Sequence, residues 1–394
     1  MTSQSATPST EGATRAERLA SLPLRHDLRG KSPYGAPQID VPIALNTNEN
    51  THPVPQDVQD AIVAEVSRVV GTLNRYPDRE FTQLRRELAE YLGHSLDQDN
   101  IWAANGSNEI LQQLMQAFGG PGRRVLAFVP SYSMYPLLSA GTNTEFIPGV
   151  RAEDFTLSAE SAAAQVREHR PSIVLLCSPN NPTGTALEDD VVDAVYRAGE
   201  ESNTVVVVDE AYAEFSRFPE RTALRLLEGR PRLVVSRTMS KAFALAGARI
   251  GYFAAAPEIA DAVRLVRLPY HLSAVTQATA LAALRHRTTL LADVADIRMQ
   301  RDRIVDDLKR MELDPAESDS NFVFFGGGID APALWQDLLD RGVLIRDVGI
   351  PGHLRVTAGT EEETTAFLDG VRAHLEDRSA AAKDSETEQD PANR

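Results

Sequence analysis

Residues 204–212, TVVVVDEAY, contain four consecutive valines followed by two carboxylates and a tyrosine. A short β-branched run that is apolar on both faces predicts a strand covered by other layers on each side. Further runs of this kind are RRVLAFVP (123–130), SIVLLCSP (172–179), RLVVSRT (232–238) and RIGYFAA (249–255). These runs predict a large, mostly parallel sheet.

Segments between the runs repeat apolar residues at three-to-four spacing, which is typical of amphipathic helices. They are residues 108–118, 187–201 and 257–267. Strands that alternate with helices indicate an α/β fold, with a doubly wound sheet. We therefore predict a large domain over residues 51–289.

The pattern changes after about residue 298, where a long helix (290–311) precedes short strands and helices up to residue 375. This change indicates a smaller α+β domain, which we assign to residues 23–50 and 290–375. The two ends, residues 1–22 and 376–394, offer little apolar surface to offset the entropy of ordering, so we predict that both are disordered.

The 394-residue chain has a formal net charge of -16, which disfavours broad attraction to nucleic acids or anionic membranes. Its one cysteine, Cys177, cannot form an internal disulfide, and no Cys/His group has zinc-site spacing, so no metal is predicted. No window approaches the roughly 18 apolar residues of a membrane span. A cytoplasmic protein is the expectation.

Polar residues directly follow the predicted strands, where ligands bind in doubly wound sheets. Asp209 ends the valine run, and Tyr212 follows three residues later. Asn181 lies in SPNNPTG (178–184), whose prolines and glycine predict an irregular turn. Taken singly, an aspartate at the end of a strand is more often a helix cap or a turn residue, and an isolated turn of this kind carries only modest weight.

Lys241 lies in SRTMSKAF (236–243), flanked by hydroxyl residues and followed by an apolar, small-residue stretch that suits an exposed lysine poorly. Arg249 opens the next strand and offers a planar fork suited to phosphate, although a structural ion pair is its alternative. In NGSNE (105–109), the amides of Ser107 and Asn108 precede a helix and form a potential anion site.

The ordered set SPNNPTG, VVDEAY, SRTMSKAF and Arg249 resembles the fold-type I family of pyridoxal 5′-phosphate (PLP)-dependent aminotransferases, over roughly residues 25–375. The resemblance implies that Lys241 binds PLP as a Schiff base and acts as general base. It also implies that Asp209 pairs with the pyridine nitrogen and that Tyr212 and Asn181 hydrogen-bond the phenolic oxygen. The predicted fold is thus that of the PLP-dependent transferases.

The same resemblance implies a phosphate cup and a stacking residue. Tyr132, in FVPSYSMY, resembles the aromatic residue that stacks on the cofactor ring. The residues implied for the phosphate cup are Thr238, Ser240, Arg249 and the amides of Ser107 and Asn108.

Within the family, LRGKSPYG (28–35), LNTNENTHPVP (45–55), RYPD (75–78) and SKAFALAGARIGY (240–252) are similar to segments of the histidinol-phosphate aminotransferases. Those enzymes convert L-histidinol phosphate and 2-oxoglutarate to imidazole acetol phosphate and L-glutamate in histidine biosynthesis. The similarity implies a homodimer in which Tyr76 reaches the PLP phosphate of the neighbouring subunit.

Four residues are expected around the substrate in addition to Asn181. Arg355, in HLRVTAG, lies where the wider family binds a carboxylate, and Arg346, in VLIRD, offers a second cation. These cations would bind the phosphate of histidinol phosphate in one half-reaction and the carboxylates of glutamate in the other. Tyr34 and Tyr270 are expected as pocket walls, although hydrophobic packing would explain them equally.

Three other functions remain open at this point. Aromatic amino-acid (phenylalanine) aminotransferases share nearly all of these motifs and differ mainly in pocket lining. A PLP-dependent decarboxylase acting on an amino-acid phosphate would keep the same cofactor residues. A PLP-binding regulatory module would also keep Lys241, but such modules usually carry a basic DNA-binding domain, which this acidic chain lacks.

Overall fold

The computed structural model describes residues 14–30, 35 and 37–388. The chain divides into a short unit, residues 1–35, and a large unit, residues 36–394. In the short unit, residues 15–21 are helical rather than disordered as the sequence predicts. A reciprocal capping box between Thr14 and Glu17 satisfies the free amides at the start of this helix.

Helices and strands alternate through most of the large unit. The helices are α1 (Arg15–Ser21, in the short unit), α2 (Gln56–Val70), α3 (Thr82–Leu92), α4 (Ser107–Phe118), α5 (Met134–Gly141), α6 (Ala159–His169), α7 (Asp189–Ala198), α8 (Pro257–Arg264), α9 (Ala274–Arg285), α10 (Arg287–Leu290), α11 (Val294–Arg310), α12 (Ala331–Asp340) and α13 (Glu361–Glu388). The strands are β1 (Ile43–Ala44), β2 (Ile101–Ala104), β3 (Arg124–Val129), β4 (Glu145–Val150), β5 (Ile173–Cys177), β6 (Val205–Asp209), β7 (Leu233–Thr238), β8 (Gly251–Ala255), β9 (Asp314–Pro315), β10 (Phe322–Gly326), β11 (Val343–Leu344), β12 (Arg346–Asp347) and β13 (Leu354–Thr357).

The central sheet has the strand order β2-β8-β7-β6-β5-β3-β4. The pairs from β7 to β4 are parallel, and β8 runs antiparallel to both of its neighbours, β7 and β2. Every residue of β5, β6 and β7 is buried, as the doubly apolar runs predict. The predicted large, mostly parallel α/β sheet is confirmed.

A second hydrophobic core lies around the antiparallel sheet β12-β13-β10-β9 and helices α11, α12 and α13. Leu45 belongs to this core, and β1 pairs in parallel with β11, so residues 43–45 pack with the C-terminal part of the chain. Tyr212, Phe215 and Ala242 also belong to this second core. The domain bounds of 51–289 for the large domain, and of 23–50 with 290–375 for the small one, stay a prediction.

Several elements differ from the sequence expectations. The helix predicted over 290–311 begins at Val294, after the separate short helix α10. Strand β4 was not predicted because Pro148 and Gly149 interrupt its pattern, which an edge strand tolerates. Helix α13 continues to Glu388, beyond residue 376 where disorder was predicted, because residues 379–388 are rich in Ala, Glu and other helix formers.

None of the helices within the described ranges is both long and apolar enough to cross a lipid bilayer.

Candidate active site

The candidate site lies at the carboxyl edge of the central sheet, where β5, β6 and β7 end side by side. Cys177 is in register with Asp209, and Asp209 with Ser236. Because the three strands are parallel, the segments that follow them leave the sheet at one edge. The turn that carries Asn181, the segment that carries Tyr212 and the segment that carries Lys241 therefore start close together.

Lys241 is half-buried, and its Nζ donates a hydrogen bond of 3.0 Å to the carbonyl oxygen of Thr47. Burial lowers the pKa of this amine to about 8, and the positive charges of Arg355 and Arg249 act in the same direction, while Glu49 opposes them. A lysine with such a pKa provides a neutral, nucleophilic amine near neutral pH far more readily than a surface lysine does.

The phenolic oxygen of Tyr212 accepts two amide hydrogen bonds, 3.1 Å from Asn48 Nδ2 and 3.3 Å from Asn181 Nδ2. Arg355 Nη1 donates to Asn181 Oδ1 at 2.6 Å, and because arginine only donates, this contact fixes the orientation of the Asn181 amide. Burial raises the pKa of Tyr212 to about 12, so the phenol keeps its proton. The two amide hydrogen bonds occupy both lone pairs of the Tyr212 oxygen. The hydroxyl proton of Tyr212 is therefore available to donate to a ligand.

Asp209 is 3% exposed, and its Oδ2 accepts a hydrogen bond of 2.9 Å from the Tyr135 hydroxyl. Its Oδ1 is buried and has no hydrogen-bond partner among the described residues. Burial raises the pKa of Asp209 to about 6, the Tyr135 hydrogen bond opposes the rise, and the negative charge of Glu210 adds to it. Asp209 is thus a buried carboxylate, ionised at neutral pH, with one acceptor atom left for a ligand.

Backbone approach at the start of α4 creates a cradle beside Arg249. Gly106 has a φ of 84°, and a Cβ at this position would lie 2.6 Å from Arg249 Nη2. A Cβ on Gly251 would lie 2.2 Å from the backbone nitrogen of Ser107. Only glycine fits at these two positions, and the guanidinium lies against the amino end of the helix. A guanidinium and free helix amides together form an anion site.

Tyr132 connects the anion site at the start of α4 with the carboxylate of Asp209. Its hydroxyl donates to Asn108 Oδ1 at 3.1 Å, and its ring contacts the ring of Tyr135 edge-on, with the centroids 5.5 Å apart. Tyr135 in turn bonds Asp209. The ring of Tyr132 therefore lies between the start of α4 and the end of β6.

The remaining predicted residues are more dispersed. Arg346 is half-buried on β12, where its Cα is in register with that of Arg355 on β13. Tyr76 and Tyr270 stack on each other with ring centroids 4.4 Å apart, and Tyr76 is 79% exposed. No described contact joins this aromatic pair to Lys241 or Asp209. Tyr34 lies outside the described residues.

Three residues that contact the predicted ones were missed in the sequence. Tyr135 bonds Asp209, Asn48 bonds Tyr212, and the Thr47 carbonyl accepts from Lys241. Thr47 and Asn48 lie in the quoted segment LNTNENTHPVP, and Tyr135 ends FVPSYSMY, so the motifs marked the right segments. The partners themselves depend on contacts across the fold.

This set of groups fits PLP. The Lys241 amine suits the aldehyde, the partnerless Asp209 Oδ1 suits a protonated pyridine nitrogen, and the directed proton of Tyr212 suits the phenolic oxygen. The cradle of Gly106 and Arg249 suits the phosphate. Fold and site together define a PLP-dependent transferase.

Comparison with known proteins agrees with this class. Residues 40–371 match the family described as aminotransferase class I and II. A histidinol-phosphate aminotransferase from Paenarthrobacter aurescens (strain TC1) is 71% identical over 360 residues, which cover 91% of this chain and 97% of the relative. The chain belongs to the class I and II aminotransferases, and the predicted cofactor, PLP, is confirmed with the family.

A more distant relative and a solved structure show the same family resemblance. A histidinol-phosphate aminotransferase from Thermobifida fusca (strain YX) is 56% identical over 350 residues, which cover 89% of this chain and 95% of the relative. The crystal structure of histidinol-phosphate aminotransferase from Sinorhizobium meliloti in complex with pyridoxal-5'-phosphate superposes with a TM-score of 0.74 at 26% identity, covering 84% of this chain and 92% of that one.

Proposed function

We propose that the protein is a histidinol-phosphate aminotransferase, which converts L-histidinol phosphate and 2-oxoglutarate to imidazole acetol phosphate and L-glutamate in histidine biosynthesis. The structural observation that carries the proposal is the position of Arg346 directly opposite Arg355 across β12 and β13, together with the contact of Arg355 with Asn181. Two cations opposite each other on neighbouring strands suit a phosphate in one half-reaction and carboxylates in the other. The 71% identity to a relative of this name supports the same activity.

Lys241 and Asp209 carry the proton chemistry in this proposal. Bound PLP acts as an electron sink for the bond that breaks at the substrate carbon. Lys241 would hold the cofactor through its amine, and the free amine would serve as the base that carries a proton between the substrate carbon and the C4′ carbon. The lowered pKa of Lys241 makes its amine available as this base. Asp209 Oδ1 keeps the pyridine nitrogen protonated.

Tyr212 and Asn181 orient the cofactor at its phenolic oxygen. The Tyr212 hydroxyl donates there because the amides of Asn48 and Asn181 occupy its lone pairs. Donors to the charged form of a group stabilise that form, so these residues favour the phenolate. Tyr132 provides the aromatic face for stacking.

The phosphate residues have unequal roles. The backbone amides of Ser107 and Asn108 and the guanidinium of Arg249 supply direct donors. Thr238 Oγ1 lies 3.0 Å from both the Ile250 carbonyl and Ser240 Oγ, and it also accepts from the Ser240 amide. Its single proton is therefore used within the turn. Ser240 Oγ is the better phosphate donor, and Thr238 holds the turn that presents it.

Substrate recognition is proposed to rest on Asn181, which follows β5, and on two arginines of β12 and β13. Arg355 contacts Asn181 and the Asn46 carbonyl, which places its guanidinium beside the cofactor residues. Arg346 adds the second cation, and Tyr270 is proposed as a wall around the imidazole and phosphate.

The test of the proposed substrate compares kcat/KM for L-histidinol phosphate and L-phenylalanine, with 2-oxoglutarate as acceptor. We expect histidinol phosphate to be preferred by at least tenfold. A tenfold preference for phenylalanine would instead make the protein an aromatic amino-acid aminotransferase, and carbon dioxide release without glutamate formation would make it a decarboxylase.

We also propose a homodimer in which Tyr76 completes the neighbouring site. Tyr76 is 79% exposed, and Leu265 and Leu268, close in sequence to its stacking partner Tyr270, are 87% and 74% exposed. An exposed apolar patch formed by these residues would suit an interaction surface. The biosynthetic reaction fits a cytoplasmic location, which stays a prediction.

Subunit mixing tests the shared site. Lys241→Ala and Tyr76→Ala chains are each expected to be nearly inactive as homodimers. In a mixed dimer, the Lys241→Ala chain would supply Tyr76 to the intact Lys241 of its partner, so one native site forms. Activity that appears on mixing supports the shared site, whereas mixtures that remain as inactive as their components contradict it.

A further inference from the structure

We propose that Tyr135 is a positioning residue that keeps the proton of the bound cofactor on its pyridine nitrogen, by holding Asp209 as an oriented carboxylate. This inference rests on the role proposed above for Asp209. Tyr135 itself would touch neither cofactor nor substrate and would act only through the carboxylate.

The geometry of the contact supports this role. Tyr135 lies on α5, is fully buried, and donates its hydroxyl proton to Asp209 Oδ2 at 2.9 Å. Burial and the neighbouring carboxylate raise the pKa of this phenol well above its ordinary value, so it remains a donor. Because Oδ2 is engaged, the buried Oδ1, which has no partner among the described residues, is the oxygen left for a ligand.

The other ionisable groups around Asp209 do not replace Tyr135. Cys177, in register on β5, is kept protonated because burial raises the pKa of its thiol to about 12. Tyr212 is likewise a neutral phenol. Glu210 is negative and disfavours the ionised form of Asp209, although Arg237 contacts its carboxylate at 2.8 Å.

The hydrogen bond therefore decides where a shared proton resides. Between a carboxylate and a pyridine nitrogen, the proton stays on nitrogen only while the carboxylate is the weaker base. Burial makes Asp209 more basic, and the Tyr135 hydroxyl counteracts burial by stabilising the anion. Loss of the hydroxyl would let the proton move to Asp209 and leave the ring uncharged.

A role in packing alone is the alternative, since the Tyr135 ring also contacts Tyr132 edge-on. Tyr135→Phe keeps the ring and removes only the hydroxyl, so it separates the two roles. Tyr252→Phe is a matched control, because Tyr252 is fully buried on β8 and its hydroxyl has no hydrogen-bond partner among the described residues.

The experiment uses holoenzyme carrying PLP labelled with ¹⁵N at the pyridine nitrogen, together with the PLP affinity of the apoprotein. We expect Tyr135→Phe to move the ¹⁵N resonance toward that of unprotonated pyridine and to weaken PLP binding about tenfold, the size expected for one hydrogen bond to a charged group. Tyr252→Phe should match wild type in both. A Tyr135→Phe resonance and affinity equal to wild type would overturn the inference.

A second comparison uses Asp209→Asn, which removes the ionisable partner. If Tyr135 acts through Asp209, Tyr135→Phe should change PLP affinity less than twofold in the Asp209→Asn background. An undiminished tenfold loss of affinity in that background would show that Tyr135 acts through packing, and it would overturn the inference. A wild-type enzyme whose pyridine nitrogen is unprotonated would instead overturn the role proposed for Asp209, and the inference with it.

Discussion

Asn48 donates its side-chain amide to the phenolic oxygen of Tyr212 at 3.1 Å, which joins residues 164 positions apart. The contact is anchored on the other side, because Thr357 Oγ1 lies 3.3 Å from Asn48 Oδ1 and also accepts from the Asn48 backbone amide. Asn48 therefore connects β13 of the second core to a proposed cofactor residue.

The direction of this hydrogen bond matters more than its presence. Asn48→Asp replaces the donor by a carboxylate that would accept the Tyr212 proton and divert it from the cofactor. We expect kcat/KM to fall about 10- to 100-fold, as for loss of a hydrogen bond to a charged group. Asn48→Gly, which tolerates the left-handed φ of 55°, should cost about tenfold or less.

Asn203→Asp is the control, because Asn203 is an exposed asparagine with a similar φ of 53°. Its kcat/KM should equal that of wild type. Equal activity of Asn48→Asp and wild type would show that Tyr212 does not need this partner.

The fold was largely predictable because its core strands have an unusual pattern. Runs apolar on both faces correctly indicated β3 and β5 to β8. Strand β4 lacks that pattern because it contains Pro148 and Gly149, and it was missed. Strand β2 is apolar on both faces but only four residues long, and it was missed as well. Helix α13 was expected to end near residue 376. Local sequence identifies buried strands well, but edge strands and helix ends depend on their neighbours in space.

The residues of the candidate site that directly follow strands were predictable from the sequence, whereas their hydrogen-bond partners were not. Lys241, Asp209, Tyr212 and Asn181 follow strands directly, and strand topology brings such residues to one edge. Tyr135 and Asn48 carry no such signal, because their contacts with Asp209 and Tyr212 arise from packing between distant segments. Their hydrogen bonds are properties of the folded chain.

Attachment of PLP should be specific to Lys241. The chain has four lysines, Lys31, Lys241, Lys309 and Lys383, so borohydride reduction followed by peptide mapping can place the modification uniquely. We expect it on Lys241, and we expect an absorbance band at about 410–430 nm that Lys241→Ala lacks. Lys309→Ala, which removes an exposed lysine paired with Glu317, should keep the band.

The rate of attachment should depend on pH. Only the neutral amine attacks the aldehyde, and the pKa of Lys241 is lowered to about 8, so the rate measured by stopped-flow absorbance should rise with pH and level off above about 8. A rate that keeps rising to pH 10 would indicate a lysine with an ordinary pKa.

Arg346 should contribute more to kcat/KM for histidinol phosphate than to kcat/KM for phenylalanine. Arg346→Gln removes a cation able to bind phosphate through two hydrogen bonds, so kcat/KM for histidinol phosphate should fall roughly 10- to 100-fold. The value for phenylalanine should change less than twofold. Arg341→Gln is the control, because Arg341 is an exposed residue directly after α12 that pairs with Asp337 and Asp377. This substitution should leave both values unchanged. Equal losses for both substrates would assign Arg346 to general carboxylate binding.

Asp209 should destabilise the PLP-free protein at neutral pH. Its pKa is about 6 in the folded chain and 3.8 as the ordinary value, so folding favours the protonated form. The stability contributed by that form is fully present below about pH 4 and is lost as pH rises through 6. Asp209→Asn removes this pH-dependent loss and can still accept from Tyr135, but it buries an amide without an acceptor. It should therefore raise the free energy of unfolding above pH 6 by less than the roughly 3 kcal/mol that corresponds to the pKa change.

Denaturant unfolding of PLP-free protein at pH 4 and pH 7.5 measures this difference. Asp154→Asn supplies a control of opposite sign, because hydrogen bonds from Thr156 lower the pKa of Asp154, and its ionised form therefore stabilises the fold at neutral pH. This substitution should destabilise the protein at pH 7.5. If Asp209→Asn were instead less stable than wild type at pH 7.5, the buried carboxylate would have a stabilising partner in the free protein, and its Oδ1 would not be reserved for the cofactor.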